Sequence, residues 1–170
     1  LPADWRALLR GRFHAVLESG RTGSLTIAVP TSARATVFTA DGRVVVHADD
    51  GAHEAGTDKP LEALRRWAQA HRAPTFPGWP VFQGGLIVAL GYELATQFEP
   101  VPSARADVPC PSAVFLEATE AFVYDDARHE LTVVVLGPVA NRPETTWREA
   151  RRRAVELRQA WQEASTVAAP

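Results

Sequence analysis

Two adjacent glycines, Gly84 and Gly85, interrupt an otherwise nearly continuous apolar run over residues 81–90. Ten such residues are too few to cross a bilayer, which takes about 20. A glycine pair inside a run of this kind reads as a buried strand whose missing side chains let a neighbouring backbone come close. The chain must therefore build a sheet that receives this strand. Its other apolar runs say which kind of sheet.

Short strand-like runs cover residues 12–18 and 24–29, separated by Ser19-Gly-Arg-Thr-Gly23. Two glycines within those five residues fit a hairpin loop. A second hairpin is better marked: residues 35–39 lead into Asp41-Gly42 and then 43–48. Asp-Gly favours a tight type I′ turn, whose two central residues need positive φ. Residues 113–124 and 131–136 flank a polar stretch and predict a third hairpin. Residues 49–57 are polar and contain glycine, and read as a loop.

Helices enter around these strands. Trp5, Leu8 and Leu9 stand at helical spacing before Gly11. Thr57 or Asp58 is placed to cap a helix with Pro60 in its first turn and a stripe of Leu61, Leu64, Trp67 and Ala68, ending before Pro74. The clearest element is the last. Asn141 and Glu144 form a capping-box-like pair, and Trp147, Ala150, Ala154, Leu157, Trp161 and Ala164 recur at steps of three and four. Burying Trp147, Leu157 and Trp161 stabilises docking of that helix by roughly 1.5–3 kcal/mol each. The expected class is α+β: largely antiparallel β-sheets with helices packed on the outside, forming a single domain over residues 1–170.

Composition narrows the function. A net charge of −2 supplies no field for nucleic acid or an anionic membrane. The one cysteine, Cys110, has no partner for an internal disulfide and reads as a buried structural thiol. No long apolar leader opens the chain, so a cytoplasmic address is the default. The absence of methionine, even at position 1, suggests a piece of something larger or a processed product.

Catalytic motifs are not evident. The cluster His47-Ala-Asp-Asp-Gly-Ala-His53-Glu54 contains metal-ligand types, but it sits on a strand end and a polar loop and reads as solvated. Gly84-Gly85 and Gly91 match neither a P-loop nor a dinucleotide fingerprint, and the sole lysine, Lys59, precedes a proline. Arg151, Arg152 and Arg153 point in different directions on a helix and read as partners for Glu149, Glu156 and solvent. Glu93, Glu99 and Asp107 are isolated carboxylates, expected to be solvated. No catalytic residue and no metal site is assigned.

One block goes further. Phe82-Gln-Gly84-Gly85, five apolar residues, then Gly91-Tyr92-Glu93-Leu94 and Phe98-Glu99, with a proline at Pro100 or Pro102, resembles the N-terminal domain of component I of the anthranilate and aminodeoxychorismate synthases. Asp107-Val-Pro109, the hairpin 122–135 and Val16-Leu17-Glu18-Ser19 follow the same family order. The sequence departs from that family at Val88, where glycine is usual, and in the short loop after Ser19, which lacks the usual Arg-Tyr/Phe-Ser.

The resemblance implies a non-catalytic scaffold or regulatory domain of a chorismate-aminating enzyme, with the chorismate-binding catalytic domain and its Mg²⁺ lying outside this chain. It implies no cofactor here. The implied partners are that catalytic domain, a glutamine amidotransferase subunit and, in a feedback pocket, tryptophan. Leu17, Glu18 and Ser19 carry over as pocket residues, with Ser24 and Leu25 as outer walls; Glu18 would meet a ligand ammonium. The alternative stays open that Leu17 is core and Glu18-Ser19 a hairpin shoulder. The reduced loop favours the aminodeoxychorismate branch, serving folate, over the anthranilate branch. A stand-alone amino-acid-binding module and a purely structural interaction domain are the competing readings.

Overall fold

The short strand-like runs at 25–29, 35–38 and 43–48 do form strands. The computed structural model describes residues 5–9, 13–19, 25–48, 50–99, 110–139 and 142–166. After a 3₁₀ turn at Trp5–Leu8 come β1 (Ala15–Glu18), β2 (Leu25–Val29), β3 (Ala35–Phe38), β4 (Arg43–Ala48) and β5 (Gly51–Thr57). Helix α1 (Pro60–Ala70), β6 (Gly85–Leu90), a second 3₁₀ turn (Tyr92–Gln97), β7 (Ala113–Ala118), β8 (Glu120–Asp125), β9 (Glu130–Val135) and α2 (Pro143–Thr166) follow. The architecture is α+β, with two antiparallel sheets and two α-helices among the described residues. The capping pair Asn141–Glu144 cannot be followed, because Asn141 lies outside the described residues.

The chain divides into two compact units. The first comprises Leu1–Ser32, Pro77–Gly85 and Ala118–Pro170. It holds a four-stranded sheet in the order β1-β2-β8-β9. Val16 pairs with Ala28, Ala28 with Phe122, and Phe122 with Val133, so these four share one face. Helix α2 lays Leu157 and Trp161 on that face, and Trp5 joins them. The Trp161 ring sits 5.0 Å from Phe122 and 6.3 Å from Tyr124.

A polar clasp holds the same helix. Glu120, also on the α2 side of the sheet, accepts two bonds from the Arg153 guanidinium, at 2.7 Å from Nε and 3.0 Å from Nη2. These bonds, with a further one to Glu156, raise the Arg153 pKa above its ordinary value. Fork geometry makes this pair stronger than a single surface bridge, although Arg153 is partly in solvent. Replacing Glu120 by Gln is expected to lower stability by about 1 kcal/mol, with a smaller loss in high salt, measured by urea unfolding.

The second unit comprises Ala33–Phe76 and Leu86–Glu117, with a five-stranded sheet in the order β5-β4-β3-β7-β6. Phe38, Val44, Val46, Ala113 and Phe115 form its core with Leu94, and α1 adds Ala63 and Leu64. Ala63 replaces the expected Ala68, which is exposed. The cap lies at Lys59 rather than Thr57 or Asp58, with no side-chain capping bond; Pro60 takes the first helical position as expected.

Several expectations are corrected here. The run 113–124 is two strands in two different sheets, broken at Thr119. Residues 51–57, expected as loop, form edge strand β5, with every residue exposed. A register shift opposite Arg43–Val45 leaves an extra residue on β5, where Gly56 takes φ +95°. The β3–β4 connection is not a type I′ turn, because only Gly42 (φ +84°) has positive φ. Thr39 N–H bonds to Arg43 O and Gly42 N–H to Thr39 O, closing a three-residue loop of the glycine-bulge kind.

Asp41 in that loop accepts the Thr39 hydroxyl and the Arg43 guanidinium, which hold its carboxyl below the usual range. A lowered pKa means the stabilisation is complete above pH 3.8 and is lost as pH falls through the lowered value.

The glycine-bearing run also departs from expectation. β6 begins only at Gly85 and stands at the edge of its sheet beside β7, half-buried and not central. Gly84, at φ +90° just before it, is where the close approach occurs. A Cβ there would lie 3.0 Å from Ala118 O and 2.3 Å from Leu136 Cδ1. Cys110 is exposed, not buried. Trp147 is also exposed, at 68%, although its spacing places it in the α2 seam.

Candidate functional site

Strand alternation decides what the β1 residues share. Leu17 stands opposite Ile27, and Glu18 opposite Thr26. The Ser19 N–H continues the ladder to Leu25 O at 3.2 Å. Leu17, Ser19 and Leu25 therefore lie on one face of the sheet and Glu18 on the other, the face that α2 covers. Leu17 is 46% exposed, and Ser19 is exposed. Ser24 lies outside the described residues, as do residues 20–23 of the loop that links the strands.

Glu18 already has a cation. Its carboxylate is 3.5 Å from the Arg6 guanidinium, and both side chains are largely exposed. Sequence reading missed Arg6, since nothing in the spacing of residues 6 and 18 signals the contact. An exposed pair of this kind is worth little and exchanges readily with solvent. The carboxylate is thus available to another cation, but on the opposite face from Leu17, Ser19 and Leu25.

The Gly91-Tyr92-Glu93 block sits where β6 hands over to the second 3₁₀ turn. Gly91 N–H donates to Ser112 O at 2.7 Å, and a Cβ on Gly91 would fall 3.0 Å from that oxygen and 2.7 Å from Glu93 Oε2. Gly91 is needed for close backbone approach, not for unusual φ. Tyr92 points outward at 81% exposure, Glu93 is exposed, and Leu94 turns into the core of the second unit. Val88, where the resembling family has glycine, packs against that same core, which accommodates the larger side chain. Gly85 takes φ +127° with open space around its Cβ direction, so conformation rather than crowding selects glycine there.

Elsewhere the polar groups serve the fold. Val46 pairs with His53 and His47 with Ala52, so the two imidazoles point to opposite faces and cannot meet on one ion. Among the described residues no group of three or more His, Cys, Asp or Glu side chains is placed to hold a metal. Asp58 and Arg66 pair across a shallow depression beside Lys59, in the second unit. No helix among the described residues is long and apolar enough to cross a membrane. The described site residues thus give two groups, an exposed β1 end and a structural glycine–tyrosine–glutamate corner. Asp107, Pro100, Pro102 and Pro109 lie outside the described residues.

Comparison with known proteins supplies what the geometry does not. No family model matches the chain. A 78-residue stretch is 40% identical to anthranilate synthase component 1 of Streptomyces coelicolor, covering 45% of this chain and 15% of that protein. Over 125 residues the chain is 31% identical to aminodeoxychorismate synthase component 1 of Bacillus subtilis, covering 72% of this chain and 26% of the relative. Among solved structures, anthranilate synthase component I of Streptococcus pneumoniae shares the fold at TM-score 0.55 and 19% identity, over 88% of this chain and 32% of that one. The chain spans about a quarter or less of these two curated relatives. Its homologues are component I of anthranilate synthase and of aminodeoxychorismate synthase, of which it matches a part.

Proposed function

We propose that this chain is the non-catalytic N-terminal-type domain of a chorismate-aminating component I, acting in the cytoplasm as scaffold for the catalytic part and as a docking element for a glutamine amidotransferase. The observation that carries this reading is the homology itself, which reaches both kinds of component I while covering only a fraction of either. We assign the chorismate site, and the Mg²⁺ it uses, to the portion of component I that this chain does not span. The domain then contributes fold and surface, and no reacting group.

The aminodeoxychorismate branch, leading to para-aminobenzoate and folate, is the preferred member. Two observations support it. The match to an aminodeoxychorismate synthase runs over the longer stretch of the chain. Glu18, the carboxylate that would hold a tryptophan ammonium, sits across the sheet from Leu17, Ser19 and Leu25 and is paired with Arg6. The anthranilate branch, with a tryptophan feedback pocket at those residues, is the second reading; the higher identity to an anthranilate synthase favours it.

Calorimetry separates the two. Titrating tryptophan into the chain is expected to give no saturable heat, and Glu18→Gln should change nothing. Saturable binding abolished by Glu18→Gln would establish a feedback site and overturn the preferred branch. The chain is also expected to leave chorismate unconsumed with ammonium present; turnover would falsify the non-catalytic assignment. Retention of an amidotransferase subunit on the immobilised chain tests the docking role.

A further inference from the structure

We draw no further inference here: the strongest candidate, the surface patch on α2 where Trp147 and Val155 stand exposed beside Arg148, Arg151 and Arg158, carries nothing because nothing in the structure shows what covers it.

Discussion

Gly84→Ala is expected to destabilise the first unit by about 2–4 kcal/mol, more than any other single methyl added at a glycine among the described residues. Two costs combine. At φ +90° an L side chain is strained wherever it points, and the new Cβ would stand 2.3 Å from Leu136 Cδ1, 2.8 Å from Leu136 Cγ and 3.0 Å from Ala118 O. Leu136 is partly exposed and can swing aside; the Ala118 carbonyl is backbone at the end of β7 and cannot. Leu136→Ala in the Gly84→Ala background should therefore recover only part of the loss, and a double-mutant cycle from urea unfolding gives the recovered fraction. Gly85→Ala isolates the conformational cost, since nothing lies within 4 Å of its Cβ direction. Its expected loss is about 1–3 kcal/mol. Equal losses at the two positions would show that crowding against Ala118 and Leu136 contributes nothing.

This pair of glycines also shows how far the sequence reaches. That a backbone comes close was legible, because a glycine pair in an apolar run has few other uses. Which glycine carries the contact was not, nor that β6 would be an edge; both depend on β7 arriving from 22 or more residues away. β5 was missed for a related reason. Gly51-Ala-His-Glu-Ala-Gly-Thr57 is exposed throughout, so no apolar alternation marks it, and pairing to β4 alone makes it a strand. The sheet change at Thr119 was hidden because the sequence is apolar on both sides of it. At the candidate site, Leu17-Glu18-Ser19 was found as a strand end, but the alternation that puts Glu18 on the far face depends on the β1–β2 register. The Arg6–Glu18 contact depends on tertiary docking of the first turn. Local patterns named the elements; long-range pairing decided what they present.

Trp161→Ala is the second large effect, an expected loss of about 3–5 kcal/mol, while Trp147→Ala on the same helix should change stability by less than about 1 kcal/mol. Both tryptophans stand in the same three- and four-residue pattern, so a periodicity argument assigns them equal weight. Length separates them. Twenty-four helical residues extend roughly 36 Å, whereas a six-residue strand extends roughly 20 Å. The sheet of the first unit therefore supports only part of α2. Leu157, Trp161 and Ala164 are on the supported part and buried, with Trp161 against Phe122 and Tyr124. Trp147, near the other end, stays in solvent. Removing Trp161 leaves a cavity lined by Phe122, Ala28 and Leu157 that the strands cannot collapse to fill, so its cost includes lost contacts as well as lost burial. Guanidinium unfolding of the two variants, followed by far-UV circular dichroism, measures the contrast. A Trp147→Ala loss equal to that of Trp161→Ala would mean that the amino-terminal turns of α2 are covered in solution by a surface of another molecule or domain.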